Sequence, residues 1–199
     1  MTLNENWGYH AGDHHWKSPA DVAEMLRQCA AGCGNLVLNV GPMGDGTIPP
    51  PSVACLDAVG AWLAGNHEAI FDTERFVSGM HDRSEGRADW TSSGRFTGTR
   101  DAFYWHIRHW PGSPLTLAGV ESEVTEVTHL ATGRSYPFEQ RDTRVIVHDV
   151  PTEMDTTMPQ VVRFRTSGPP SIYLCGGQRV PQMPHCRYDP LPSDMLVRP

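Results

Sequence analysis

Apolar and polar positions follow two different rhythms along this chain, and the change comes near residue 72. Val22, Met25, Leu26, Cys29, Ala30 and Cys33 recur every three or four positions, which predicts one stripe of an α-helix. Its start is marked by Ser18, which can cap, by Pro19, whose missing N–H suits a first turn, and by Asp21, which favours the positive helix end. Gly32 and Gly34 offer left-handed stops. Residues 35–40 (NLVLNV) form a nearly continuous apolar run, which predicts a strand buried on both faces, as in parallel sheets. After a glycine-rich loop at 41–46, Pro49, Pro50 and Pro51 lead into a second helix. It carries Val53, Leu56, Val59 and Leu63 on one side and ends at Gly65-Asn66. This is the grammar of β/α units, and one and a half such units are expected not to fold alone, because a buried parallel strand needs neighbours on both edges.

Beyond residue 72 the period shortens to two. Phe103, Trp105 and Ile107 share one face of residues 101–110, and 115–118, 124–130, 143–148 and 160–165 are further strand candidates. Turn signals such as Trp110-Pro111-Gly112 and Ala131-Thr132-Gly133 separate them, predicting an antiparallel β-sandwich. Residues 175–199, rich in Pro and Gly, read as an irregular tail, and no internal repeat is visible.

Composition narrows the classes. With 199 residues, 39% hydrophobic and 20% charged, the chain reads as globular. A formal net charge of −7 argues against nucleic acid as a partner, since a basic stripe is missing. No apolar run reaches the roughly 20 residues that cross a bilayer, and the first residues show no leader-like pattern, so no membrane partner is expected. The five cysteines lack zinc-like spacing; free thiols are the plain reading, with a Cys175–Cys186 disulfide as the alternative.

The densest group of chemistry-bearing residues is Trp7, Tyr9, His10, Asp13, His14, His15 and Trp16. Aromatic faces of this kind suit sugar rings, whose C–H edges meet a π-face. His14 and His15 are adjacent and lack a third ligand at metal spacing, so no metal is assigned. The 41–46 loop lacks the lysine of a phosphate loop and the acidic repeat of a calcium loop, and reads as a tight connection. Trp62 and Leu63 read as core. A glycosidase needs two carboxylates across the scissile bond; of Glu5, Asp13, Asp21, Glu24, Asp45, Asp57 and Glu68, only Glu5 and Asp13 sit in the aromatic loop. They make no convincing pair, and no nucleophile-elbow motif supports a Ser/His/Asp site.

MTLNENWGY, then Trp16-Lys17-Ser18, then GCGNLVLNVGPMGDGTIP, then VGAWLAGNHEAIF resemble, in order, successive motifs of the α-L-fucosidases of glycoside hydrolase family 29. The resemblance covers residues 1–72 closely and the later strands more loosely. It implies that residues 1–72 are the C-terminal end of an incomplete (β/α) barrel and 73–199 a C-terminal antiparallel β-sandwich with its tail. It implies a retaining mechanism without cofactor, an aspartate nucleophile and a glutamate acid/base. Both would fall before Met1, so no catalytic residue is carried over and the chain is expected to be inactive alone. The implied partners are a fucosylated glycan and the missing N-terminal barrel portion, in a parent of secreted, periplasmic or lysosomal type. Trp7, Tyr9 and Trp16 match motif aromatics of the sugar pocket, Trp16 as a wall for the fucose methyl group, and Asn39 with Gly41 matches the end of a late barrel strand. His67 and Phe71 depart from the family's usual Gly and Tyr. The alternative reading is a non-enzymatic sandwich that binds carbohydrate or a partner, with the aromatics of 101–110 as an exposed platform.

Overall fold

Residues 1–74 and 95–171 are described by the computed structural model of this chain; the Cys175–Cys186 pair and the tail at 175–199 lie outside the described residues. Helix α1 spans Pro19–Ala31. Ser18 Oγ accepts from the Asp21 amide at 3.2 Å while Asp21 Oδ2 accepts from the Ser18 amide at 3.2 Å, the reciprocal box that satisfies two orphan donors. At the other end Gly34 N donates to Cys29 O (2.7 Å) and Cys33 N to Ala30 O (3.1 Å). In that motif the residue after the cap is left-handed. It is Cys33, at φ 53°, rather than either expected glycine; Gly32 sits at φ −93°.

Helix α2 spans Pro50–Asn66 and runs into a 3-10 turn, His67–Ala69. Its buried face is Ser52, Cys55, Val59, Trp62 and Asn66, whereas Val53 and Leu56 are 42% and 39% exposed. The expected stripe of Val53, Leu56, Val59 and Leu63 is thus rotated. α2 is apolar on nearly every side, so spacing alone does not single out one face. His67 has φ −58°, ordinary helical backbone, so histidine in place of glycine strains nothing there.

The predicted buried strand at 35–40 is not formed as such. Thr2 and Asn39 make one parallel bridge, with Leu3 N donating to Asn39 O (3.1 Å) and Asn39 N to Met1 O (2.9 Å). Leu36, Leu38 and Val40 are half-buried and Val37 is 74% exposed. With a single paired edge the run covers one side only, and its outer side chains meet no second layer.

Eight strands follow: β1 Arg95–Gly98, β2 Ala102–Ile107, β3 Leu115–Ala118, β4 Val124–His129, β5 Arg134–Ser135, β6 Phe138–Arg141, β7 Arg144–Val147 and β8 Gln160–Thr166. They form two antiparallel sheets, in the orders β1-β2-β8-β4-β5 and β3-β7-β6. Between the sheets lies one core that includes Phe103, Trp105, Ile107 and Phe164 from the larger sheet and Leu115, Leu117, Val145 and Val147 from the smaller. Phe103 and Phe164 stack across the β2–β8 pair with ring centroids 4.7 Å apart.

β2 is buried on both faces. Ala102 and Tyr104 turn away from the sandwich core and pack with Ala23, Ala30, Trp62, Ala69 and Ile70 of the helical part. The expected exposed aromatic platform is therefore absent: Phe103, Tyr104 and Trp105 are at most 4% exposed, and the half-buried Trp110 donates Nε1–H to Pro151 O at 2.8 Å. Trp62 Nε1–H donates to Pro159 O at 2.7 Å, Thr97 Oγ1 to Ala69 O at 2.6 Å, and Arg108 pairs with Asp21 at 2.8 Å. Arg163 bonds Glu68 at 3.1 Å and Glu126 at 2.9 Å. Helices and larger sheet therefore share a core and a polar rim. Among the described residues no helix is long and apolar enough to cross a membrane.

Candidate functional site

The aromatic segment enters α1 from the Thr2–Asn39 bridge. Leu3, 1% exposed, anchors it in a small core with Val22, Cys55 and Val59, against which Trp16, Leu38 and Val40 pack. Lys17 N donates to Leu3 O at 2.8 Å, so residues 4–16 leave and return as one loop. Trp7 and Tyr9 project from it, 66% and 46% exposed. The Trp7 carbonyl accepts from Asn39 Nδ2. Beside it Gly41 adopts φ 54°, and a Cβ there would lie 3.2 Å from both Gly8 C and Tyr9 N. Only glycine permits both that dihedral and that approach without strain.

The motif resemblance predicts one site for Trp7, Tyr9, Trp16 and Asn39. Trp7, Tyr9 and Asn39 come together through the Trp7 carbonyl and the Gly41 approach. Trp16 lies at the far end of the loop, half-buried on the Leu3 core. One N–H of the Asn39 amide is used on the loop backbone. The role of Gly41 as the floor under Gly8 and Tyr9 was not read from the sequence. A glycine directly after an apolar run was its only signal.

Asp13 closes the loop. Its side chain is 1% exposed. Oδ2 accepts from Asn6 Nδ2 (2.8 Å), Glu5 N (3.0 Å) and Asn6 N (3.1 Å), and Oδ1 from His15 N (3.1 Å). These bonds, the Asn6 side chain first, hold its pKa down at about 2 despite burial. Glu5, Asp13 and His15 bring ligand-type atoms within 4.8 Å of one another. Asp13 already accepts four hydrogen bonds, and the other two side chains of that group are exposed. Asp45, exposed, accepts from Thr47 N (3.0 Å) and Thr47 Oγ1 (2.7 Å), which lower its pKa and tighten the end of the 41–46 loop.

Among the candidate carboxylates before residue 72, Asp13, Asp21, Glu24, Asp45 and Glu68 are engaged. Asp21 is held below the ordinary range by Ser18 and then Arg108, Glu24 takes Arg27 at 2.7 Å, and Glu68 takes Arg163. A glycosidase acid must keep its proton near neutrality. Asp13, Asp21 and Asp45 are all pushed the other way. Glu5, 70% exposed, stands near Asp13 without a partner suited to that division of roles.

Residues 1–68 match the family model described as alpha-L-fucosidase. An α-L-fucosidase of Branchiostoma floridae is 27% identical over 164 residues, covering 80% of this chain and 35% of that protein. Among solved structures, α-L-fucosidase isoenzyme 1 from Paenibacillus thiaminolyticus superposes with a TM-score of 0.69 at 29% identity. The match covers 84% of this chain and 39% of that one. The Thermotoga maritima α-fucosidase, solved in complex with fucose, shares the fold with a TM-score of 0.64 at 22% identity over 82% of this chain and 38% of that one. The two helices and two antiparallel sheets thus correspond to part of such enzymes. The chain is a relative of the α-L-fucosidases of glycoside hydrolase family 29, spanning about a third of the length of the Branchiostoma floridae protein.

Proposed function

We propose that this chain acts as the C-terminal part of a retaining exo-α-L-fucosidase that removes terminal α-L-fucosyl groups from glycoconjugates. Residues 1–72 are the last β/α units of its barrel and 73–199 the sandwich beside it. The observation that carries the reading is the aromatic loop: Trp7 and Tyr9 stand exposed on a segment pinned by Asn39 and floored by Gly41. Their faces suit the C–H edges of a sugar ring. Trp16 offers an apolar edge for the fucose methyl group, and Asn39 acts by fixing the Trp7 backbone.

In such a mechanism one carboxylate attacks the anomeric carbon and another donates, then recovers, a proton. The engaged carboxylates of this chain are poor candidates for either part, which supports placing both on further β/α units. Those units are the proposed macromolecular partner. Val37 beside the single parallel bridge, and Val53 and Leu56 on the outer face of α2, are the apolar positions they would cover.

A titration of the chain with L-fucose, followed by NMR at the Trp7 indole and the Tyr9 ring, tests the sugar site. The reading expects both to shift and Trp7→Ala to abolish the response at Tyr9. Shifts confined to the sandwich would refute it.

A further inference from the structure

Four hydrogen bonds converge on one carboxylate in a loop that has almost no apolar anchor of its own. Between Leu3 and Trp16 every residue except Asn4 and Asp13 is exposed. Nothing hydrophobic holds the Trp7–Tyr9 turn from within. Asp13 instead takes amide donors from both ends of the loop: Glu5 and Asn6 on the way out, His15 on the way back. The Asn6 side chain adds a fourth bond. An ionised carboxylate is the one side chain that accepts at all these points with no proton of its own to place.

We infer that the Asp13 carboxylate is a positioning group: while ionised it ties together the two ends of the loop whose Trp7–Tyr9 turn Asn39 and Gly41 hold, completing a preformed aromatic wall, and once it loses its charge the loop loosens. The ordering part stands on the loop geometry alone. Its consequence, that a sugar meets a wall already in place, rests on the function proposed above. Preorganisation of this kind removes an ordering cost from binding.

The titratable groups facing Asp13 are Glu5 and His15, at 70% and 76% side-chain exposure, with His15 Nδ1 3.5 Å from Glu5 Oε2 and 3.9 Å from Asp13 Oδ1. The Lys17 ammonium reaches the Asn4 carbonyl next to the loop, at 3.5 Å. None of them replaces a donor to Asp13, so removing the Glu5 charge is expected to leave the loop in place. The low pKa of Asp13, about 2, agrees with a charge stabilised by its four bonds.

The test compares the full chain with its Asp13→Asn and Glu5→Gln variants by amide NMR. In wild type the Glu5, Asn6 and His15 amides should move together in one acid step well below the ordinary carboxylate range. Glu5→Gln should reproduce that step. Asparagine presents N–H groups where acceptors are needed, so at neutral pH Asp13→Asn should shift all three amides. It should also shift the Trp7 indole and Tyr9 ring resonances. The β2 and β8 amides report whether the variant is folded. If it is not, the wild-type acid step alone decides.

A step near the ordinary aspartate range, or Trp7 and Tyr9 resonances in folded Asp13→Asn that coincide with those of wild type, would overturn the inference. L-Fucose separates the two proposals. An Asp13-dependent loop that ignores the sugar supports the anchor and counts against the sugar site. A variant loop that stays ordered and still responds to the sugar does the reverse.

Discussion

At the scale of single residues, one backbone position and one buried ring carry the sharpest consequences. Gly41 combines a left-handed φ with the close approach to Gly8 and Tyr9. Gly41→Ala should therefore cost about 1–2 kcal/mol from the dihedral alone, read as a lowered urea midpoint, and should alter Trp7 emission. His106 is 3% exposed between the sheet and the helices, with Nε2 2.9 Å from Thr97 Oγ1. Burial first, and then the nearby Arg27 guanidinium, push its pKa down to about 3. The unfolded chain thus binds a proton that the folded chain refuses. Stability is fully present above the unfolded value near 6.5 and falls as pH drops from there towards 3, by something on the order of a few kcal/mol. His106→Gln should flatten that slope when urea midpoints at pH 7 and pH 4.5 are compared. The depressed pKa of Asp13 acts the same way in a lower window, below pH 4.

At the scale of elements, Trp62 is the pin between α2 and the sandwich. Trp62→Phe keeps most of the ring but withdraws the donor from Pro159 O. It should cost about 1–3 kcal/mol, measured by chemical denaturation, because the carbonyl is left without that bond. Much of this architecture was legible beforehand. The Ser18-Pro19-Ala20-Asp21 start became a capping box, and 115–118 emerged as β3 at those bounds. The alternation of Phe103, Trp105 and Ile107 did point to one core. β1, β5 and β6 were missed because they are two to four residues long and show little alternation. The aromatics of β2 were misjudged for another reason. Period two reveals that a strand has two faces, and here helices cover the second one. The buried face of α2 was equally hidden, since Val53 and Leu56 are as apolar as Val59 and Trp62. In the candidate site, the aromatics and Asn39 could be read from motif order. The Gly41 approach joins residues distant in sequence, and the Asp13 bonds, though local, follow no periodic pattern that would announce them.

At the scale of the whole molecule, the sandwich is a closed two-sheet unit, whereas residues 1–74 draw much of their cover from it. Tyr104 and Val161 of the larger sheet complete the core that Ala23, Trp62 and Ile70 begin. Val37, Val53 and Leu56 remain exposed, and the parallel bridge is one residue pair long. The chain corresponds to little more than a third of the solved fucosidase it matches at 29% identity. Carboxylates in its first part are mostly tied to loop amides, a helix cap or arginines. Under the proposed function, the sugar-facing wall and the catalytic pair belong to different stretches of the parent enzyme. The direct test is hydrolysis of an aryl α-L-fucoside by the purified 199-residue chain, followed by release of the aryl alcohol. The account predicts release at the uncatalysed rate. Turnover that disappears in Glu5→Gln or Asp13→Asn would contradict it.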